Sequence, residues 1–228
     1  FFKEALSNSS LNTADGVGIL WASKFIKLRS RKTYRVRFIN TLKNIFWLKI
    51  TLLAIVFNRK WLSSEIPERV TGIDLMWELA NRAQERGWRV YLLGGLDDTS
   101  DQVAEKLKAI YPRISIVGTY AGKPTNDGSI EEGAIQKIAK VKPDILFVAY
   151  GSPKQEKFIY RNIDRLDAKL IIGVGGSFDF IVGKAKRAPK IFQSLGVEWL
   201  WRFFRQPKRV RRIFNAFPFF VLRIFMSK

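Results

Sequence analysis

Gly173-Val174-Gly175-Gly176-Ser177-Phe178-Asp179-Phe180, with Arg187-Ala188-Pro189 and Glu198-Trp199-Leu200-Trp201-Arg202 behind it, is where this sequence concentrates its chemistry. The glycines let a ligand approach bare backbone. Asp179 supplies a carboxylate, and the arginines and tryptophans that follow exceed what a plain connecting loop needs. A glycine-rich strand-to-loop turn followed by a basic surface helix is the other reading of the same residues. The chain has no Cys and no His, which excludes thiolate catalysis, a disulfide framework, the usual general base and the commonest metal ligand. Proton transfer must fall to Asp, Glu, Lys or Tyr. Lack of Cys also suits a reducing compartment.

These residues need a scaffold, and the pattern around them predicts one. Leu170 to Val174 is a short apolar run that reads as a buried strand, as do Arg89–Leu93, Ile114–Val117 and Asp144–Ala149. Between them, Asp98–Ile110 carries Val103, Leu107 and Ile110 at helical spacing and stops at Pro112. Ser129–Lys140, after an Asp127-Gly128 turn, and Lys154–Arg165, after Pro153, read as further helices. Repeated strand–helix units predict an α/β fold, an open, mostly parallel Rossmann-like sheet with helices on both faces. Ligands of such sheets bind beyond the carboxyl ends of the strands. Three of these strands end in glycine, at Gly94-Gly95, Gly151 and Gly175-Gly176. One α/β domain over 1–200, with a basic apolar insert at about 29–64, and a basic amphipathic appendage over 201–228 are expected.

Composition bounds the function. At 228 residues and 47% hydrophobic content the chain can bury one good core. It begins Phe1-Phe2-Lys3, without an initiator Met or signal-peptide pattern, and reads as a piece whose N-terminus lies upstream. The net charge of +20 is concentrated in two blocks. From Lys24 to Lys60 there are eleven Lys/Arg and no acid, and from Lys184 to Lys228 twelve Lys/Arg against Glu198 alone. Such blocks imply a polyanionic partner, nucleic acid or an anionic membrane. The large apolar residues interleaved with the charges, as in Ile45-Phe46-Trp47-Leu48-Lys49-Ile50 and Phe217 to Met226, favour membrane. Ile45 to Phe57, apolar except for Lys49 and Thr51, runs for about thirteen residues where a spanning helix needs roughly 20. An interfacial or re-entrant helix is expected, with a basic helix packed on the domain as the alternative.

Asp15-Gly16-Val17-Gly18-Ile19 and Glu68-Arg69-Val70-Thr71-Gly72-Ile73-Asp74-Leu75 resemble the opening motifs of the WecG/TagA/CpsF family of glycosyltransferases. Tyr91-Leu92-Leu93-Gly94-Gly95, Gly151-Ser152-Pro153-Lys154-Gln155-Glu156 and Gly173 to Phe180 continue the resemblance in order. Arg187-Ala188-Pro189, Glu198 to Arg202 and Pro207-Lys208-Arg209-Val210-Arg211-Arg212 close it. It covers nearly the whole chain except the insert between about Arg29 and Ser64. The family's first strands, with a Thr-x-Asn element near the donor, are not in this sequence, and the insert is longer and more apolar than the usual link.

The resemblance implies an inverting, membrane-associated transferase at the cytoplasmic membrane face. It would move N-acetylmannosamine or a related hexose from a UDP-sugar to a polyprenyl-diphosphate-linked sugar, feeding teichoic acid, enterobacterial common antigen or capsule assembly. By the same resemblance Asp15 is the base that takes the acceptor proton; a helix cap or turn is its structural alternative. A free Asp is a weak base, so burial or an acid neighbour is expected to help it. Asp179 is the rival carboxylate, better suited to a structural or substrate hydrogen bond. Arg69 and Gln155 match positions near the substrate, with a salt bridge and a helix-surface amide as alternatives. Gly94, Gly95, Gly151, Gly175 and Gly176 complete the substrate-binding set. No Asp-x-Asp pair ends a strand, so no metal or other cofactor is expected. Arg202, Arg209 and Arg212, at spacings that share one helix face, would stabilise the diphosphate. The expected partners are the UDP-sugar, the lipid-linked acceptor and an anionic membrane, with no nucleic acid and homo-oligomerisation open. A basic nucleic-acid-binding α/β module and a nucleotide-sugar-binding protein without turnover are the competing functions.

Overall fold

The computed structural model of the chain describes residues 1–31, 36–122, 125, 132–205, 214–215 and 218–227. The first helices in chain order are α1 (Phe2–Ser7), α2 (Val17–Ser30), α3 (Arg37–Phe57), α4 (Arg59–Leu62) and α5 (Gly72–Arg86). There follow β1 (Arg89–Gly94), α6 (Thr99–Ile110), β2 (Ser115–Tyr120), α7 (Glu132–Val141), β3 (Ile145–Ala149), α8 (Lys154–Asn162) and β4 (Leu170–Gly173). The chain continues through α9 (Ser177–Ile181), α10 (Lys190–Ser194), α11 (Glu198–Arg205) and α12 (Pro218–Met226). Contacts divide it into two compact units, Phe1–Asn12 with Gly72–Lys186, and Thr13–Thr71 with Arg187–Lys228. In place of a boundary at 200/201, the insert and the C-terminal segment fall in one unit.

The first unit is a four-stranded parallel sheet in the order β2-β1-β3-β4. This bears out the α/β reading. Side-chain alternation on β1 and β3 builds two cores. Val90, Leu92, Ile145 and Phe147 pack with Met76 and Ala80 of α5, Val103 and Leu107 of α6, and Phe178. Tyr91, Leu93, Leu146 and Val148 face the opposite way, onto Ile135 and Ile138 of α7 and Phe158 of α8. Each face is thus covered by helices, and truncating a fully buried Leu92 to Ala should cost about 2–5 kcal/mol. The strands lie at their expected places, with β2 running on to Tyr120. Helix α6 carries Ala104 inward, while Ile110 is exposed. Residues 129–131, expected to open α7, lie outside the described residues. Helix α8 stops at Asn162, short of Arg165, where the Asn162 amide turns back onto the Phe158 carbonyl at 2.9 Å.

The second unit is helical. Val17, Trp21, Ala22 and Phe25 of α2 pack against Ala54 and Ile55 of α3 and Leu62, with Phe220, Ile224 and Phe225 of α12 alongside. The polar contacts tie distant segments together. The buried Trp21 indole donates to Thr51 Oγ1 at 2.9 Å. The Arg29 guanidinium donates to the carbonyls of Ile224 and Phe225, at 3.2 and 3.3 Å, satisfying the C-terminal end of α12. Lys43 Nζ in turn donates to the Arg29 carbonyl at 2.7 Å. Buried Lys24 reaches Ser64 Oγ at 2.6 Å and Glu65 at 3.4 Å and lies over the Trp61 ring, while Lys27 pairs with the other Glu65 oxygen. Pro218 opens α12 at its first position, where its missing N–H costs no hydrogen bond.

Helix α3 corrects an expectation. It has 21 residues, not the thirteen of the apolar run, and Phe38–Phe57 is long and apolar enough to cross a membrane by length and composition. The polar residues that interrupt the run, Asn40, Lys43 and Asn44, recur at helical spacing and are half-buried, so they mark a face of the helix rather than its end.

Candidate functional site

The strand order places a topological switch point between β1 and β3. From β1 the chain leaves through α6 to β2 on one side, then returns through α7 to β3 on the other. Crevices at such points, outside the carboxyl ends of the strands, are where open α/β sheets bind ligands. Gly94, the last residue of β1, pairs with Ala149, the last of β3. Its φ of +108° suits glycine, and a Cβ there would meet the Ala149 backbone at 2.9 Å and the Tyr150 ring at 3.0 Å. Gly95, Gly151 and Gly175 also have positive φ. Gly176 does not: its φ is −86°, it is exposed, and a Cβ would stand in open space. No packing demand in the fold asks for glycine at that position.

Gln155 is neither the helix-surface amide nor a side chain free for a ligand. It is 6% exposed at the start of α8. Its Oε1 accepts the Gly151 N–H at 3.1 Å and the Gly175 N–H at 2.9 Å, so one carbonyl oxygen clasps the turns after β3 and β4. Its Nε2 donates to Glu156 Oε1 at 3.0 Å. Gly173 makes room for this amide, since a Cβ at that position would collide with it. Asp179 lies half-buried in the first turn of α9, beyond the same strand end, and its main-chain carbonyl takes the Ala185 N–H. Gly72 lets α5 begin against β4, where a Cβ would lie 3.0 Å from the Val174 carbonyl oxygen.

Two residues here escaped the sequence reading. The Tyr150 hydroxyl is buried with no hydrogen-bond partner among the described residues, beside Gly94 at the switch point. Burial pushes its phenol well above its ordinary value, and the neighbouring Tyr120 and Tyr91 add to the shift. Glu156 Oε2 is likewise buried without a partner among the described residues. Their position beside Gly151, within the motif itself, was the available signal.

The second unit collects the remaining motifs. Val70 N–H donates to the Ala14 carbonyl at 3.1 Å, which fixes the Asp15 segment beside the Arg69 segment. Asp15 is exposed within its own unit, where burial was expected to help it. The N-cap position of α2 is Gly16, the residue after it. Arg69 makes the salt bridge that was its alternative reading, with Nη1 2.8 Å from Glu198 Oε1 and both side chains largely buried. Arg59, which the sequence reading missed, joins them and donates to the Gln193 carbonyl at 2.9 Å. Burial first, then nearby Arg69, lowers its guanidinium from the ordinary value, while Glu198 opposes the shift. Gln193 Nε2 donates to the Ala188 carbonyl at 2.6 Å, which brings the Arg-Ala-Pro motif into the same cluster. Arg202 lies in α11, but its side chain is outside the described part of the structure; Arg209 and Arg212 lie outside the described residues. Among the described residues no group of three or more Asp or Glu side chains is placed to hold a metal ion.

A parallel α/β unit with a glycine-lined switch point defines a class of ligand-binding and group-transfer proteins. The sequence model of the glycosyl transferase WecG/TagA/CpsF family matches residues 53–228, and the chain belongs to that family. Asp15 lies before the matched stretch. The chain is also similar to a curated protein of Staphylococcus aureus (strain MRSA252), N-acetylglucosaminyldiphosphoundecaprenol N-acetyl-beta-D-mannosaminyltransferase. The two are 33% identical over 167 residues, 73% of this chain and 64% of the relative. The match thus spans just under two thirds of the relative's length.

Proposed function

We propose that this chain is an inverting glycosyltransferase that moves a hexosamine, N-acetylmannosamine or a close relative, from a UDP-sugar to a polyprenyl-diphosphate-linked sugar. It would act at the cytoplasmic face of the membrane in cell-surface polysaccharide synthesis. Family membership carries the reaction class. The name of the similar protein, an N-acetyl-beta-D-mannosaminyl transfer to N-acetylglucosaminyldiphosphoundecaprenol, supports the sugar and the acceptor. The observation that carries the binding site is the switch point, where positive φ at Gly94, Gly151 and Gly175 turns three strand ends tightly and Gln155 holds two of those turns in fixed register.

In this reading the acceptor hydroxyl oxygen bonds to the anomeric carbon on the face opposite the diphosphate. Asp15 takes the hydroxyl proton, and the electron pair of the breaking carbon–oxygen bond leaves with UDP. The new charge on the diphosphate falls to Arg202, Arg209 and Arg212. The +20 charge fits both an anionic leaving group and an anionic lipid surface.

The test is incubation of the purified chain with a panel of UDP-hexosamines and a lipid-diphosphate-GlcNAc analogue, with UDP release and glycolipid product both measured. Stoichiometric product with UDP-N-acetylmannosamine is expected, and it should persist in excess EDTA. UDP-sugar binding without product would instead leave a binding protein. Activity lost in EDTA and restored by Mg²⁺ or Mn²⁺ would overturn the arginine account of the leaving group.

A further inference from the structure

Helix α3 has two unlike faces. Phe38, Leu42, Phe46, Ile50, Leu53 and Phe57 recur at steps of four, four, four, three and four, so they form one stripe along its length. They are exposed, Phe38 at 69%, Phe46 at 56%, Leu53 at 57% and Phe57 at 81%. The opposite face is engaged: Trp47, Ala54 and Ile55 pack on Trp21 and Phe25 of α2, and Thr51 takes the Trp21 indole hydrogen bond. A contiguous apolar stripe about 30 Å long on an otherwise folded helical unit marks an interaction surface.

Charge decides what covers it. The chain from Lys24 to Lys60 holds no acid, and Lys49 stands exposed within the apolar stripe itself. A second copy of the chain docked face to face would bring like charges together around Lys49. An anionic lipid surface meets the same face with complementary charge, and its acyl boundary accepts the phenylalanines. Length alone would let α3 cross a bilayer, but its surroundings argue against that. Lys49 lies near mid-helix, where crossing would put an ammonium close to the bilayer centre. Helix α2, bound along the inward face, would carry Lys24, Lys27 and their partner Glu65 with it. A lysine in a helix lying flat can instead reach sideways to the headgroups on its long stem.

We infer that the outward face of α3 docks flat on an anionic lipid surface, with its phenylalanines in the acyl boundary and Lys49 among the headgroup phosphates, and does not span the bilayer. This deepens the membrane part of the proposed function, and vesicle binding is measured without any transfer activity, so either reading can fail alone.

The chain has no cysteine, so single-cysteine versions of the full chain, Phe38→Cys, Leu53→Cys and Phe57→Cys, can each carry one environment-sensitive nitrobenzoxadiazole label. Sealed phosphatidylcholine vesicles containing phosphatidylglycerol should shift all three emissions to the blue, phosphatidylcholine alone should do so far less, and external dithionite should then quench every label. Phe46→Glu with Leu53→Glu should lower partition into the anionic vesicles more than about tenfold with unchanged circular dichroism. Three results would overturn the inference: labels that ignore vesicles, one helix end protected from dithionite, or a blue shift without lipid that tracks a concentration-dependent doubling of mass. Should the double variant unfold, the labelled chains still decide.

Discussion

At the carboxyl edge of the sheet one neutral side chain, Gln155, serves main-chain donors four and twenty residues away. In the helical unit the comparable ties are made by arginines across much longer spans. Arg59 reaches the Gln193 carbonyl 134 residues on, and Arg29 reaches that of Ile224 across 195. The first arrangement is short-range and its two main-chain bonds are neutral, so salt has little hold on them. The second needs distant stretches of the chain to meet, and it leaves Arg59 and Arg69 sharing Glu198. The contrast assigns different work to the two regions: a stiff glycine-lined frame in one, and a charge cluster that depends on long-range closure in the other.

The sharpest way to break the comparison is at Gln155. Gln155→Leu keeps the volume but leaves the Gly151 and Gly175 N–H groups without their acceptor. At about 1–3 kcal/mol for each buried unsatisfied group, the expected loss is about 3 kcal/mol or more, read by urea denaturation. An unchanged midpoint would mean that the clasp is incidental.

Asp15→Asn tests the other region, and its effect should be kinetic. If Asp15 is the base, turnover should fall by about 100-fold while UDP binding and the melting temperature stay put. Turnover near that of the parent would move the role to Asp179 or another group. A drop in stability instead would make Asp15 part of the Ala14–Val70 connection and remove the contrast between frame and chemistry.

Glu198→Gln should cost less, about 2 kcal/mol of stability, because it leaves Arg69 and Arg59 facing each other in a partly buried place without a carboxylate. That loss should shrink as salt is raised, whereas the Gln155→Leu loss should not. Equal salt dependence for both would erase the distinction drawn between the two units.

The sheet and its helices were readable because local periodicity and core placement agree. Val90 and Leu92 go to one face and Tyr91 and Leu93 to the other, as period-2 alternation requires. The start of α3 was not readable from an apolar run, because Asn40, Lys43 and Asn44 interrupt the run without ending the helix. At the site, the family pattern singled out Gln155 and the glycines. That one amide oxygen joins two turns depends on β3 and β4 being neighbours, which no local pattern states. A salt bridge was one reading of Arg69, but its partner Glu198 and its neighbour Arg59 were not legible for a related reason: they lie far apart in the chain, and each alone reads as one more charge on a basic protein.

The smallest expected effect lies at the amino end of the sheet, where Asp144 ties β1 to β3. Asp144 Oδ2 accepts the Arg89 N–H at 2.8 Å, and Oδ1 lies 2.6 Å from Lys169 Nζ. The Arg89 hydrogen bond chiefly, and Lys169 after it, hold this carboxyl below the usual Asp range. A carboxyl depressed by folding stabilises the fold above its unfolded pKa of about 4, and that stabilisation fades as pH falls through the lower folded value. Asp144→Asn should therefore lower the melting temperature at neutral pH by a few degrees, the scale of about 1 kcal/mol in a chain of this size. The gap between variant and parent should close as the pH drops below about 4. Because this bond involves an ion, acid should be felt here, while the clasp at the opposite edge is made by a neutral amide oxygen on two main-chain N–H groups. A gap that stayed constant down to the acid limb would show that the Asp144 carboxylate contributes shape and not charge.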